Sequence, residues 1–405
     1  MAGTLLLAGV TAGCVGAGAW EYLTHRRRLA RIPIRVHVNG TRGKSTVTRL
    51  IAAGLRAGGI RTCAKTTGTL PRMSFCDGSE YPVFRPGKAN VIEQIRIVRA
   101  AVADSAEALV IECMALRPEL QSLCELKLVQ STHGVITNAR ADHLDCMGPT
   151  TRDVALALAG STPKCGTLYT AERELDDVFR ASARERKSRF VPVSLGEVQA
   201  VTRAELQMFG WIEHAENVAL ALRVCSDLGV DRAAALEGMW RMTPDFGVMT
   251  VHQLSKSVGE YLFVNGFAAN DPVSTGCNWQ LAIDRFPHAA QRVAVVNCRC
   301  DRPERSVQLG HACASWWPAD RYLVVGGETR LFAKSAVEAG VNPLRIRCLE
   351  AANLETILEE LQSLSAPTAL VVGMGNIDGP GKQLARHAAR HGRLYRESAA
   401  RAEAA

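Results

Sequence analysis

The sequence predicts an α/β protein with two sheet-forming domains, preceded by a transmembrane helix. Short apolar runs alternate with helical stretches along most of the chain, which is typical of parallel sheets covered by helices. The alternation breaks near Pro244 and then resumes, so it divides the body into two series. We therefore expect an anchor with a basic linker at 1–30, a central α/β domain at 31–246, a smaller Rossmann-like C-terminal domain at 247–390 and a tail at 391–405.

The N-terminal run of residues 1–20 carries no charged side chain and is about long enough to cross a bilayer as a helix. Gly9 and Gly13 have the spacing of residues that pack against another membrane helix. Positive charge follows the run, so the positive-inside rule predicts a single-pass protein of the cell membrane whose body is cytoplasmic. We also expect a polytopic membrane partner subunit. The alternative is an apolar helix buried against the first domain.

Residues 36–46, VHVNGTRGKST, join the end of a short apolar strand to a loop and a helix. The ordinary phosphate-binding loop, G-x-x-x-x-G-K-[ST], would place a glycine at position 38, where the chain has Val38. Backbone N–H groups of 41–44 can surround phosphate oxygens, Lys44 can offset phosphate charge, and the Ser45 hydroxyl can bind Mg²⁺. We therefore predict ATP and Mg²⁺ as cofactors, with contacts from Asn39, Gly40, Thr41, Arg42, Gly43, Lys44, Ser45 and Thr46.

Polar residues follow two further apolar runs of the first series. Glu112 comes directly after the run 109–111, and the segment TNARADHLD, 137–145, begins where the run 134–137 ends. Because parallel strands present their carboxyl ends at one edge of a sheet, both should lie beside the loop. A carboxylate and an imidazole can hold a metal ion, so we predict the metal ligands Ser45, Glu112 and His143, with Asn138 as a further catalytic residue.

The composition is that of a globular protein, with 47% hydrophobic and 22% charged residues. Aromatic residues make up only 5%, too few for stacking platforms, so we expect no nucleic-acid partner. The net charge of +8 suits an anionic substrate. Thirteen scattered cysteines indicate reduced thiols. The spacing of Cys298, Cys300, His311 and Cys313 is not that of common zinc sites, and we do not expect a metal there.

The three segments NGTRGKST, VIECMALRPE and TNARADHLD together resemble the Mur ligase superfamily of ATP-dependent amide ligases. The loop of that family has the form G-T-x-G-K-[ST], and the resemblance covers most of residues 34–380. Within the superfamily, the phrases look most like the membrane-associated poly-γ-glutamate synthase subunits of the PgsB/CapB type. Folylpolyglutamate synthases are the alternative. Classical Mur ligases carry an N-terminal domain for a UDP-sugar peptide, and here the loop begins too early for one.

The resemblance also implies roles for residues outside the loop. HAENVALAL is similar to the helix whose asparagine meets the adenine, which would be Asn217, and VNGFAANDP implies Asn270 and a catalytic Asp271 beside the nucleotide. The family's arginine after the linker proline is missing, so we expect Arg302 or Arg305 to contact the γ-phosphate. The family's carbamylated lysine also has no clear counterpart, because the first lysine after His143 is Lys164.

The mechanism that the resemblance implies has two steps. A carboxylate attacks the γ-phosphate of ATP to give an acyl phosphate, and the amine of the next amino acid then displaces phosphate to form an amide. The expected substrates are glutamate and an anionic polyglutamate chain, joined through γ-carboxyl groups for a capsule polymer, and a homo-oligomer is expected. A ligase that adds glutamate to a folate and a nucleotide-regulated membrane adaptor without ligase activity stay open as alternatives.

Overall fold

The computed structural model describes residues 2–67, 71–85, 87, 89–244, 248–257, 259–269 and 271–395. The chain divides into two compact units. The first comprises Met1–Val201 and Ala215–Thr243, and the second comprises Thr202–His214 and Pro244–Ala405. Each unit contains its own β-sheet, which confirms the predicted α/β class with two sheet domains.

The described residues up to 201 form eight strands and eight helices. The strands are β1 (Ile34–Asn39), β2 (Thr62–Thr66), β3 (Arg72–Ser74), β4 (Glu80–Pro82), β5 (Ala108–Glu112), β6 (His133–Ile136), β7 (Thr167–Thr170) and β8 (Arg189–Pro192). The helices are α1 (Ala2–Ala30), α2 (Lys44–Ala57), α3 (Glu93–Ala103), α4 (Pro118–Leu123), α5 (Leu144–Met147), α6 (Thr151–Ala159), α7 (Asp176–Glu185) and α8 (Leu195–Gln199). A π-helical turn, Cys124–Val129, extends α4.

The rest of the chain continues this alternation. The helices are α9 (Arg203–Gln207), α10 (Ala215–Asp227), α11 (Arg232–Arg241), α12 (Pro272–Arg285), α13 (Pro303–Cys313), α14 (Thr329–Glu338), α15 (Leu354–Gln362) and α16 (Pro380–His391). The strands are β9 (Trp211–Ile212), β10 (Met249–Ser255), β11 (Glu260–Asn265), β12 (Gln291–Cys298), β13 (Arg321–Gly326), β14 (Ile346–Glu350), β15 (Thr368–Gly375) and β16 (Arg393–Leu394). A 3₁₀ turn, Pro343–Arg345, precedes β14.

The sheet of the first unit has the order β4-β3-β2-β5-β1-β6-β7-β8. In this order, the strands from β2 to β8 all run parallel. β3 pairs antiparallel with β2, and β4 pairs antiparallel with β3. β1 lies between β5 and β6, and its register pairs Val38 with both Glu112 and Val135. The carboxyl ends of these three strands therefore meet at one edge, where α/β sheets bind their ligands.

Helices bury both faces of this sheet. α10 and α11 pack against α2, where the absent side chain of Gly54 makes room for Cys225 and Met239. On the other face, the end of α1 and helix α3 contribute Leu29, Ile97 and Val98 to a buried cluster. Burial on both faces explains why the strands appear in the sequence as continuous apolar runs.

The second unit has the sheet order β14-β13-β12-β15-β11-β10-β16. The strands from β14 to β11 run parallel, and β10 is antiparallel to both β11 and β16. β9 also pairs with β10, so residues 202–214 pack with this unit although the prediction places them in the first domain. The predicted boundary at 246/247 lies outside the described residues.

The predicted transmembrane anchor is wrong. In the described part of the chain, no helix combines the length and the apolarity needed to cross a membrane. Helix α1 has 29 residues, but its uncharged part consists largely of glycine, alanine and threonine, and Glu21 and three arginines follow. The predicted localisation, a single-pass protein of the cell membrane, depends on this span and is wrong for the same reason.

The alternative prediction for α1, an apolar helix buried against the first domain, is correct only for the C-terminal end of the helix. The described side chains before Thr24 are exposed, whereas His25 and Leu29 are buried. A ring nitrogen of His25 lies 2.8 Å from the carbonyl oxygen of Leu128. The C-terminal end of the helix is therefore part of the first unit's core.

Candidate nucleotide-binding site

The loop between β1 and α2 requires glycine at two positions. Gly40 has φ 136° and Gly43 has φ 79°, a region of backbone space that side chains disfavour. A Cβ atom on Gly40 would lie 2.0 Å from the Thr137 hydroxyl oxygen, and one on Gly43 would lie 2.9 Å from the Asn217 side-chain oxygen. The close approach of Asn217 also shows that the start of α10 adjoins the loop, where the sequence places the adenine-binding asparagine.

Asn138 holds the loop in shape from the neighbouring strand end. Its side-chain oxygen accepts hydrogen bonds from the Thr41 hydroxyl at 2.7 Å and from the Arg42 N–H at 3.1 Å. Its side-chain nitrogen donates to the Arg42 carbonyl at 3.2 Å, and its own carbonyl accepts from the Thr41 N–H at 3.1 Å. This predicted catalytic residue therefore clamps the backbone of the loop.

Neighbours of Asn138 reinforce this clamp. The Thr137 hydroxyl donates to the Arg42 carbonyl at 2.6 Å, and the Arg140 N–H donates to the Thr41 hydroxyl at 3.0 Å. The Arg42 guanidinium also lies 3.4 Å from an Asp142 carboxylate oxygen. The segment after β6 thus contacts the loop through both side chains and backbone.

Asn39 turns its side chain into the protein interior. Its amide nitrogen donates to the Gln121 side-chain oxygen at 2.7 Å and to the Ser161 hydroxyl at 3.0 Å, and its oxygen accepts from the Gly40 N–H at 2.9 Å. The side chain is almost completely buried. Its amide therefore positions the end of β1, and a nucleotide contact from Asn39 would have to come from its backbone.

Lys44 is the first residue of α2. Its ammonium donates to the Gly40 carbonyl at 2.6 Å and to the Thr41 carbonyl at 3.3 Å, so it lies against the backbone of the loop. Burial lowers its pKa from the usual value, while the Glu112 carboxylate opposes that decrease. Thr46 follows in the first turn of the helix and is half-buried.

Two of the three predicted metal ligands lie together. The Ser45 hydroxyl donates to a Glu112 carboxylate oxygen at 2.9 Å, and the Thr67 N–H donates to the same oxygen at 2.6 Å. Glu112 is almost completely buried at the end of β5. A hydroxyl and a carboxylate at the mouth of a phosphate-type loop are hard oxygen donors, which fit a magnesium-like ion.

His143 is not joined to this pair. Its Nε2 lies 3.8 Å from an Asp142 carboxylate oxygen, and its φ of 50° places it in the left-handed region. Among the described residues, no hydrogen bond or ion pair connects His143 to Ser45 or Glu112.

The sequence analysis did not predict a buried ionic group that lies beside Glu112. The Lys65 ammonium lies 2.8 Å from one Glu93 carboxylate oxygen, and Arg85 donates to both oxygens of that carboxylate at 2.6 and 3.1 Å. Lys65 pairs with Ile111 in the sheet, one residue before Glu112. The sequence offered one signal of a buried ion pair, a lysine within the apolar strand TCAKT. Nothing in the neighbouring sequence indicates which carboxylate pairs with it.

Two of the predicted site residues in the second unit lie at the starts of helices. Asp271 caps α12, where its carboxylate accepts from the Ser274 N–H at 2.8 Å. Arg302 lies immediately before α13. Asn270 lies outside the described residues.

Comparison with known proteins agrees with this geometry. Residues 38–214 match the model of the Mur ligase middle domain, and residues 251–391 match that of the poly-γ-glutamate synthase CapB C-terminal domain. The chain is 37% identical over 374 residues to the capsule biosynthesis protein CapB of Bacillus anthracis, covering 91% of this chain and 79% of that protein. The chain belongs to the CapB family. The predicted membership of the Mur ligase superfamily, and of its CapB-type group, is confirmed.

A second relative and a solved structure extend the comparison. The PGA synthase CapB of Bacillus subtilis is 33% identical over 369 residues, covering 91% of this chain and 93% of that protein. A folylpolyglutamate synthase/dihydrofolate synthase from Yersinia pestis, solved with AMPPNP and manganese, superposes with a TM-score of 0.62 at 15% identity. It covers 91% of this chain and 93% of that one, and shows that the fold is shared. The chain is thus an ATP-dependent amide ligase, as predicted.

Proposed function

We propose that this protein polymerises glutamate through γ-carboxyl linkages, using ATP and Mg²⁺. The observation that carries the proposal is the match along 91% of the chain to a PGA synthase and a capsule biosynthesis protein. The loop geometry supports it, because Lys44 and the Ser45–Glu112 pair lie where phosphates and a metal ion would be held. A folate as the acceptor is the alternative, supported by fold similarity alone.

The proposed reaction begins at the γ-carboxylate of a growing chain. This carboxylate attacks the γ-phosphate of ATP, and ADP leaves. The amine of an incoming glutamate then attacks the acyl carbon of the acyl phosphate, loses a proton and forms the amide, and inorganic phosphate is released. Attack of one anion on another requires offsetting charge. Lys44 supplies one positive charge, and the loop N–H groups donate to phosphate oxygens. Ser45 and Glu112 would hold Mg²⁺, which supplies further charge neutralisation when bound.

Other parts of the prediction enter this proposal with less structural support. We place Asn217 at the adenine because it approaches Gly43. The assignments of His143 to the metal and of Asn270, Asp271 and Arg302 to the nucleotide stay predictions. A homo-oligomer and a membrane partner subunit also stay predictions.

The test measures elongation directly. Purified full-length protein is incubated with ATP, Mg²⁺, labelled glutamate and a short γ-linked glutamate oligomer, and both ADP and product length are followed. We expect Glu112→Gln to lower the rate by about 10²-fold or more, because it removes the charge that holds the metal. Glu119→Gln, on the exposed surface of α4, is the matched control and should leave the rate unchanged.

Two results would count against the proposal. One is elongation of a folate acceptor without elongation of the glutamate oligomer, which would favour the alternative. The other is an equal rate in Glu112→Gln and Glu119→Gln, which would remove Glu112 from the metal site.

A further inference from the structure

A second group of metal-ligating side chains lies away from the nucleotide loop. The thiol sulfurs of Cys63 and Cys76 are 3.7 Å apart, and the Cys63 sulfur lies 3.3 Å from a carboxylate oxygen of Asp104. The ligand atoms of all three residues lie within 4.8 Å of one another. In the part of the chain that the structure describes, no other group of three such side chains meets this criterion.

Three different elements bring these side chains together. Cys63 is buried near the start of β2, Cys76 is half-buried in the turn between β3 and β4, and Asp104 ends α3. Thr67, which contacts Glu112, is four residues further along than Cys63, about 13 Å at the rise of a strand. The group is therefore at the opposite end of β2 from the nucleotide loop and takes no part in the chemistry proposed there.

We propose that Cys63, Cys76 and Asp104 bind a zinc ion, with water as the fourth ligand. Zinc takes thiolate sulfurs at about 2.3 Å and carboxylate oxygens at about 2.0–2.2 Å in a tetrahedron. Those lengths place two sulfurs about 3.8 Å apart and a sulfur and an oxygen about 3.5–3.7 Å apart. The observed sulfur–sulfur separation of 3.7 Å matches the first edge, and the sulfur–oxygen separation of 3.3 Å is shorter than the second by only a few tenths of an ångström, so these two edges need little movement for binding.

The carboxylate is held in position before any ion binds. The same Asp104 oxygen that faces Cys63 accepts the Cys76 N–H at 2.7 Å. The backbone carbonyl of Asp104 also accepts a hydrogen bond from the Arg61 guanidinium at 2.9 Å. A ligand whose orientation is set by a backbone contact loses little freedom on binding.

The charge of a zinc complex at this position can be balanced. Zn²⁺ displaces thiol protons on binding, so both sulfurs would bind as thiolates. Two thiolates, one carboxylate and Zn²⁺ leave one negative charge, which the guanidinium of Arg56 near Cys63 can offset.

The ion would fasten the β3–β4 hairpin to the body of the first unit. β4 carries Glu80, which forms an ion pair with Arg49 of α2, the helix that begins at the loop. Arg49 also donates to the Thr243 carbonyl at 3.2 Å. A zinc-bound hairpin therefore supports the helix on which the nucleotide site is built, without supplying a group to that site.

The experiment uses cobalt as a visible substitute for zinc. Full-length protein is treated with a chelator under a non-thiol reductant, titrated anaerobically with Co²⁺, and then displaced with Zn²⁺. We expect one equivalent of Co²⁺ with a thiolate-to-cobalt charge-transfer band that Zn²⁺ removes. Cys76→Ser and Asp104→Asn should each weaken binding by more than about 10-fold, since even changes to outer-shell partners cost about that much. Cys165→Ser, an exposed cysteine of the same unit, should bind as the wild type does.

Three results would overturn the proposal: no charge-transfer band in the wild type, an unchanged band in both Cys76→Ser and Asp104→Asn, or a Cys63–Cys76 disulfide that forms in place of metal binding. Asp104→Asn keeps an acceptor for the Cys76 N–H and should remain folded by circular dichroism even if Cys76→Ser does not. None of these readouts depends on ligase activity, so they are independent of the proposed function.

Discussion

The clamp formed by Asn138 makes a quantitative prediction about ATP binding. Asn138→Ala removes three side-chain hydrogen bonds to the loop, two through the oxygen and one through the nitrogen, and leaves the backbone bond to Thr41 intact. Such bonds contribute about 1 kcal/mol each, so the loop loses about 3 kcal/mol of conformational restraint. If ATP binding must then restore the loop, the dissociation constant rises by up to about 100-fold.

The assay is equilibrium binding of a non-hydrolysable ATP analogue with Mg²⁺, alongside steady-state turnover. Asn353→Ala is the matched control, because it removes two hydrogen bonds to Thr356 at the start of α15 and does not touch the loop. We expect weaker analogue binding in Asn138→Ala only. Normal analogue affinity with lost turnover would refute the clamp and assign Asn138 to the reacting atoms, as the sequence alone predicted.

Two further predictions concern the core of the first unit. Gly40→Ala should lower both stability and ATP affinity more than Gly59→Ala. Both glycines have positive φ, but only at Gly40 would the added Cβ clash, with Thr137. Thermal unfolding of both variants checks the effect on stability. Burial disfavours the charged form of His37, but Cys113 and Glu125 outweigh it and raise the pKa to about 10. The stabilisation that protonated His37 gives the folded state should therefore be complete below about pH 6.5 and should be lost as the pH rises to about 10. Glu125→Gln should weaken that dependence and cost about 3–5 kcal/mol in urea unfolding at neutral pH.

The features that the sequence predicted well share a physical cause. Lys44, Ser45 and Glu112 lie together because each follows or ends a parallel strand, and such ends share one edge of the sheet. The strands themselves were visible as apolar runs, since both faces of the sheet are covered. Local pattern and topology are sufficient to bring these residues together without knowledge of any long-range contact.

The features that it missed depend on partners far apart in the chain. Asn39 looked like a loop residue, but its side chain meets Gln121 and Ser161, which lie 82 and 122 residues away. Glu93 is likewise paired with Lys65, 28 positions before it. No periodicity encodes such pairs, because they arise only when separate elements pack.

The wrong prediction for α1 has a different origin. The absence of charge over residues 1–20 was used as the measure of a membrane span, whereas crossing a bilayer requires sufficient apolarity along the helix. Glycine, alanine and threonine add no charge but also little apolar surface. Burial of His25 and Leu29 at the end of the helix was not visible in the basic run that surrounds them.

The position that departs from the ordinary phosphate loop explains why the clamp exists. Val38 is completely buried and pairs with β5 and β6, and its carbonyl accepts the Cys113 N–H at 2.8 Å. β1 therefore continues to Asn39, where the ordinary loop would already have begun. Only four residues, 40–43, then separate the strand from the helix. Side chains that follow the next strand of the sheet, chiefly Asn138, hold this short loop in shape. We therefore expect nucleotide binding to depend on residues that a search for the loop motif alone does not reach.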